Sequence, residues 1–371
     1  MKRKTLILAL VIVIAGAMVI RAEASISGRG SSWVNDHLVF GILSYCNTSE
    51  QEVRKLVAAR IVYNRLLQDC GYSEFYVDEN LDVRLDDLNE DWVKTLIDSI
   101  QIRFYDNLNS MVMALKSGVL DAIFVHDAVA DYLCARDKEL FYINKFVAEG
   151  DKEKVRGLLE NGFHSDEFSF MLTEGNIGLR DEINKAINDM DNDGILTKLE
   201  EQFLSEQDPA PVKIDTIEGA ETVKVAVTGD LPPFDYISEN GVPAGYNTAV
   251  LAEIGKRIGK NIALVQVDTG GRAAALSSGM VDVVFWCRSQ AVYSKGGYES
   301  GNDESLRKAI KALGMDKAKT EKALRLIELS FEESISMDQP DGTIITRPYH
   351  SSITKNVQKR KQPSASSSSG K

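Results

Sequence analysis

Residues 189–200 read DMDNDGILTKLE, with Asp189, Asp191 and Asp193 at positions 1, 3 and 5 of a calcium-loop spacing, Gly194 at 6 and Glu200 at 12. Hard cations take oxygen ligands, and a glycine at the sixth position permits the turn that converges them. On spacing alone the stretch reads as a calcium site. The competing reading is a turn between two helices, with Gly194 reversing the chain and Ile195, Leu196 and Leu199 packing the second helix.

The elements around it are legible from periodicity. LVFGIL (38–43) is a short apolar run typical of a buried strand, and 52–69 carry helical spacing at Val53, Val57, Ile61 and Leu66. QIRFYD (101–106), DAIFVHD (121–127) and EFSFMLTE (167–174) read as strands, LNSMVMALKSG (108–118) as a glycine-ended helix, and LRDEINKAIND and ILTKLEEQFL as two helices. A polar stretch with two prolines, SEQDPAPVKIDTIEGAE (205–221), reads as a linker. A second cycle follows: strand VKVAVTG, helix NTAVLAEIGKRIG, strand NIALVQVD, helix RAAALSSG and strand VDVVFW. Strands alternating with helices predict an α/β fold with mainly parallel sheets. The halves share one unit, MALKSGVLDAIFV (113–125) and AALSSGMVDVVFW (274–286), in which Leu-x-Ser-Gly-x-x-Asp leads a helix into an apolar strand.

The chain has 371 residues, 44% hydrophobic and 26% charged, enough for two packed domains. Its net charge of −12 argues against a nucleic-acid partner, which would require a basic surface. MKRK, an uncharged run TLILALVIVIAGAMVI, and Ala22-Glu23-Ala24 before Ser25 form a secretory signal over 1–24; Arg21 leaves an uncleaved anchor open. Cys46, Cys70, Cys134 and Cys287 lack the spacing of a zinc site. The C-terminal KRKQPSASSSSGK reads as part of a serine-rich disordered tail, placed at 351–371.

VAVTGDLPPFDYISENGVPAGYNTAVLAEIGKRIG (225–259), continued by RAAALSSGMVDVVF (272–285), resembles the first lobe of bacterial extracellular solute-binding proteins of the amino-acid-binding family. Residues 106–133 and 175–204 resemble the second lobe more weakly, and DGTIITRPYH (341–350) resembles a strand running to the hinge. The resemblance implies two Rossmann-like open-sheet lobes of the periplasmic-binding-protein type. It places a second-lobe-like domain at 36–205, a linker at 206–221 and a first-lobe-like domain at 222–350. That order is reversed from the family's, so the chain builds either one permuted clamshell or two incomplete domains. In this family the helix–Asp-Gly–helix pattern is a structural turn, so the turn reading is preferred, with Asp189, Asp191, Asp193 and Glu200 as the ligand set if calcium binds.

The implied function is capture of a small polar or anionic, amino-acid-like solute between the lobes for an ABC importer or a membrane sensor, without a cofactor. Such a solute needs a guanidinium for its carboxylate, a carboxylate for its ammonium and an aromatic wall. The resemblance implies Phe234 and Tyr236, after Pro-Pro, as the wall; by position Asp230 after the first strand is the ammonium candidate, Arg272 at a helix start the anion candidate, and Trp286, Arg288 and Ser289 leave a strand end where ligands collect, with Asn247 a further candidate contact. Two departures stand out. Asn247 occupies a place where the family usually has an acid, and RSQAVYSKGG lacks an arginine at the family's spacing. Two other classes compete: a dehydratase-like enzyme on the same fold, for which His126 is the candidate acid or base, and a calcium-dependent extracellular module.

Overall fold

The computed structural model describes residues 38–44, part of 50–70, 89–142, 166–205, 210–288, 304–328, 340–352 and 354–360. The signal at 1–24, Ser289, Cys46 and the stretch 361–371 lie outside them. Among the described residues no helix is long and apolar enough to cross a membrane.

The N-terminal part holds β1 (Leu38–Leu43), α1 (Glu90–Ser99), β2 (Ile100–Tyr105), α2 (Leu108–Lys116), β3 (Ala122–His126), α3 (Asp127–Arg136) and β4 (Leu140–Tyr142). After them come β5 (Asp166–Thr173), α4 (Ile177–Asn192) and α5 (Ile195–Leu204). Beyond the linker the chain forms β6 (Thr222–Val227), the short strands β7 (Asp230–Leu231), β8 (Asp235–Ile237) and β9 (Pro243–Ala244), α6 (Tyr246–Ile258) and β10 (Asn261–Gln266). It closes with α7 (Arg272–Ser277), β11 (Val283–Arg288), α8 (Glu304–Ala312), α9 (Lys317–Glu328), β12 (Thr343–Ile345), β13 (His350–Ser352) and β14 (Thr354–Lys359).

Two large open sheets and a small β7-β8-β9 sheet result, and each large sheet takes a strand from the other half of the chain. The first runs β2-β1-β3-β14-β4 and the second β10-β6-β11-β5-β12, with β13 also on β5. In the first sheet β1 pairs parallel with β2 and β3, while β14 is antiparallel to β3. In the second, β6 pairs parallel with β10 and β11, while β5 is antiparallel to β11. Each lobe is therefore a parallel trio with the chain-first strand in the middle, followed by one exchanged antiparallel strand. The two halves of the chain thus share both open sheets through exchanged strands.

The exchange redraws the expected boundaries. The strand β5 and helices α4 and α5, read as part of a 36–205 domain, pack on the second lobe, with both helices against α6. Residues 354–359, read as disordered tail, form β14 inside the first sheet, and Val357 is fully buried there. The reason is apolar burial: β3 is buried along its whole length and needs a neighbour on each edge. The linker also has a fixed place on the second lobe. Val212 N–H donates to Pro243 O at 3.1 Å, and Ile217 N–H to Asn261 Oδ1 at 2.7 Å.

Candidate functional site

Where strand ends of the two lobes face one another, the protein's own groups meet. Asp230 begins β7 just beyond β6, and its Oδ2 accepts the Leu108 amide of the first lobe at 3.1 Å. Leu108 opens α2, whose cap, Asn107 Oδ1, is engaged with Ser110 N–H at 2.8 Å. The first amides of a helix lack intrahelical acceptors, and a carboxylate there is favoured by the helix dipole. Beside this contact, Thr269 N–H donates to Asp106 O at 3.0 Å. Tyr236 and Tyr132, one from each lobe, bring their ring centroids to 6.5 Å.

The loop carrying Asp230 is held from behind by Asp235. That carboxylate accepts the Thr228 amide at 2.8 Å and the Thr228 hydroxyl at 2.7 Å. Asp235 is 1% exposed. Burial pushes its carboxyl up to about 7, against the lowering effect of its Thr228 bonds and of Arg272. Burial also raises Asp230, and the Leu108 amide opposes that rise.

Arg272 is only 1% exposed. A desolvated guanidinium needs acceptors, and backbone carbonyls supply them: Nε donates to Thr269 O at 3.1 Å, Nη1 to Phe285 O at 2.9 Å, and Nη2 across the seam to Ser44 O at 3.4 Å. The last is long for a hydrogen bond and is the weakest of the three by geometry.

The structure thus brings Asp230, Tyr236 and Arg272 to the seam and takes two predicted contacts away. Phe234 is fully buried and packs on Tyr246 and His350, with ring centroids 6.4 and 5.3 Å away. It fills the core beneath β7 and β8 instead of walling a cleft. Asn247 is likewise fully buried and accepts the Tyr349 hydroxyl at 3.1 Å. The backbones of Trp286 and Arg288 lie in β11, where Arg288 pairs in register with Phe168; their side chains and Ser289 lie outside the described residues. His126 is buried edge-on against Phe168, with centroids 4.6 Å apart.

The four carboxylates of the calcium spacing do not converge. Helix α4 continues through Asp189 and Asp191 to Asn192, so no open loop forms. Asp189 pairs with Lys185 at 2.7 Å, Asp191 with Arg347 at 3.1 Å and Asp193 with Arg257 at 2.9 Å. Glu200 turns to His350 Nδ1 at 2.7 Å. Among the described residues no three histidine, cysteine or carboxylate side chains group as metal ligands. The left-handed Gly194, φ 67°, makes the turn.

Sequence reasoning missed Asp106, Leu108 N–H, Ser44, Thr269 and Asp235. The Asp106-Asn107 pair before a helix was a visible capping signal, but nothing local said that a carboxylate 122 residues away would complete it. A groove of about 380 Å³ lies away from the seam, between α5, α6 and the linker, lined by Leu199, Phe203, Val212, Ile214 and Ala252.

Two 2-1-3 sheets joined by exchanged strands, with polar side chains gathered at the seam, define a periplasmic-binding-protein-type fold. Residues 223–289 match the family described as bacterial extracellular solute-binding proteins, family 3. Comparison with curated proteins finds no match. Among solved structures the chain is similar to the PBP AgaA of A. tumefaciens R10 in complex with agropinic acid. The identity is 13%, over 70% of this chain and 54% of that one, with a TM-score of 0.32. It is also similar to NikA from Staphylococcus aureus in complex with Ni(L-His)2, at 11% identity over 70% and 57% of the two chains and a TM-score of 0.33. A phosphate-binding protein of a phosphate ABC transporter from Streptococcus pneumoniae TIGR4 gives 8% identity over 88% and 89%, TM-score 0.29. This chain therefore spans about half the length of AgaA.

Proposed function

We propose that the chain is an extracytoplasmic solute receptor that holds a small polar or anionic, amino-acid-like solute between its lobes and presents it to an ABC importer or a membrane sensor. The observation that carries this reading is that Asp230 and Arg272 both contact the first lobe across the seam. Both come from the segment that matches the solute-binding family. A donor group of the solute takes the Asp230 oxygen that Leu108 N–H now holds. Its anionic group takes Arg272 Nη2 in place of the distant Ser44 carbonyl, putting an ionised acceptor where a long bond to an uncharged one stood. Tyr236 and Tyr132 flank the place.

A thermal melt of the purified full-length chain against amino acids, small carboxylates and polyamines tests the reading. A solute that binds the folded state alone raises the midpoint by linkage. A rise from one chemical class, lost in Arg272→Met, supports the receptor. A flat response across the panel, with the protein folded, argues against it.

A further inference from the structure

From the groove between α5, α6 and the linker we infer a second binding site, which takes an amphipathic carboxylic acid with its apolar chain along the groove and its carboxylate on Lys256. The site lies outside the seam and does not depend on a solute binding there. Its volume of about 380 Å³ falls within the range of small-molecule sites.

Three sides shape the groove for an apolar chain. Helix α5 supplies Leu199 and Phe203, α6 supplies Ala252, and the linker forms the third side. Along the linker Val212 and Ile214 are half-buried while Lys213 and Asp215 are exposed, the alternation of an extended chain with one apolar face. Its ends are held, Val212 N–H by Pro243 O at 3.1 Å and Ile217 N–H by Asn261 Oδ1 at 2.7 Å. Between them, over 213–216, no backbone amide has a hydrogen-bond partner among the described residues. Val212 packs on the core of the lobe, whereas Ile214 lines the groove without joining that core. The linker is therefore a strap tied at both ends, with apolar surface facing the groove between the ties.

Charge at the rim selects the head group. Three lysines stand there, and two are engaged: Lys213 with Asp215 at 2.7 Å, and Lys260 with Glu221. Lys256 differs. Its one carboxylate contact among the described residues, Glu253 Oε2, is 3.7 Å away, beyond hydrogen-bonding distance, and Glu253 is already bonded to Arg257 at 2.9 Å. An ammonium carries three donors, so Lys256 can take a carboxylate oxygen in a charge-assisted bond. From α5, the exposed Gln202 offers an amide donor for the second oxygen. A neutral head group on the same chain forgoes the ion pair, so the groove ranks ligands by head group as well as by length.

Isothermal titration of decanoate, octanoate and decanol into the purified full-length chain, each below its aggregation limit, tests the site. Decanoate should fill a single saturable site. Octanoate, two methylenes shorter, should bind roughly tenfold more weakly, and decanol should also bind about tenfold more weakly, the size of one charge-assisted bond. Lys256→Gln should bring decanoate down to the level of decanol and leave decanol unchanged; the side chain is 75% exposed, so the fold is not at stake. Ala252→Phe fills the groove from α6 and should abolish binding of all three. Decanoate that fails to bind, or that binds Lys256→Gln as tightly as the wild type, overturns the site. Binding that survives in folded Ala252→Phe places the acid elsewhere, the seam included, and overturns it equally. Should Ala252→Phe fail to fold, Lys256→Gln and the decanol comparison decide. A dimer in sedimentation that Ala252→Phe dissociates, without a decanoate isotherm, gives the groove to a second copy of the chain and overturns the assignment.

Discussion

Asp121 and Asp282 hold the same position in the two lobes. Asp121 Oδ2 accepts the Val39 amide at 2.9 Å while its own amide donates to Val39 O at 2.9 Å. Asp282 repeats both bonds with Lys224, at 2.8 and 2.9 Å. Each aspartate ends the Leu-x-Ser-Gly-x-x-Asp unit and clamps the third strand of its sheet to the central one. Removing either carboxylate leaves a strand amide without its acceptor. Asp121→Ala and Asp282→Ala should each cost about 1–2 kcal/mol, with the more exposed Asp282 site at the lower end. The clamps sit in separate lobes and share no partner, so the double variant should show the sum. Urea midpoints at constant slope would measure this; strong non-additivity would contradict independent clamps.

Asp235 makes stability depend on pH. Its folded carboxyl is raised to about 7 by burial, above its ordinary value of 3.8. The folded protein therefore binds the proton more tightly than the unfolded chain does. Its contribution is fully present below about pH 4 and is lost as pH rises towards 7. Asp235→Asn keeps the shape and cannot titrate, so it should flatten the fall in unfolding free energy across that window, a change of a few kcal/mol. An unaltered pH profile in the variant would place the titration elsewhere.

Gly245 has φ 103°, and a Cβ there would meet Phe234 O at 2.4 Å. Gly241 also has positive φ, 73°, but open space around it. Alanine at 241 should cost about 1 kcal/mol from backbone conformation alone, whereas at 245 the clash adds to it for a total of roughly 3 kcal/mol or more. Equal thermal midpoints for the two variants would refute the close approach.

Val357 is fully buried in the exchanged strand β14. Val357→Asp should unfold or severely destabilise the first lobe, by several kcal/mol, since it buries an unpaired charge. In a disordered tail the same change would be silent. Circular dichroism during urea titration separates the two.

Calcium at millimolar concentration should leave the melting midpoint unchanged. The carboxylates of 189–200 are occupied by Lys185, Arg347, Arg257 and His350. A calcium-induced rise abolished by Asp189→Asn with Glu200→Gln would restore the loop reading.

Local features of this protein were written in its sequence. Apolar runs and helical spacing placed the strands and helices, because side-chain periodicity reports the backbone's own repeat. The duplicated Leu-x-Ser-Gly-x-x-Asp unit marked equivalent turns, since a glycine C-cap at Gly118 or Gly279 is a local requirement. Gly194 likewise marked a turn, although the ligand spacing around it pointed to a metal. Asp230 after the first strand, Tyr236 and Arg272 at the start of a helix were singled out from the sequence, and all three lie at the seam. Only the tertiary structure decided the rest. The strand β5 looked like a member of its own half and β14 like part of a disordered tail, and both crossed to the other lobe, because pairing is settled by which apolar edge remains uncovered, not by any neighbour in the chain. Phe234, a family mark, and Asn247, a departure from the family's acid, are both packed inward, while Asp230 reaches Leu108. Sequence spacing fixes which groups are available; burial and long-range contact decide which of them reach the seam and which are spent holding the fold.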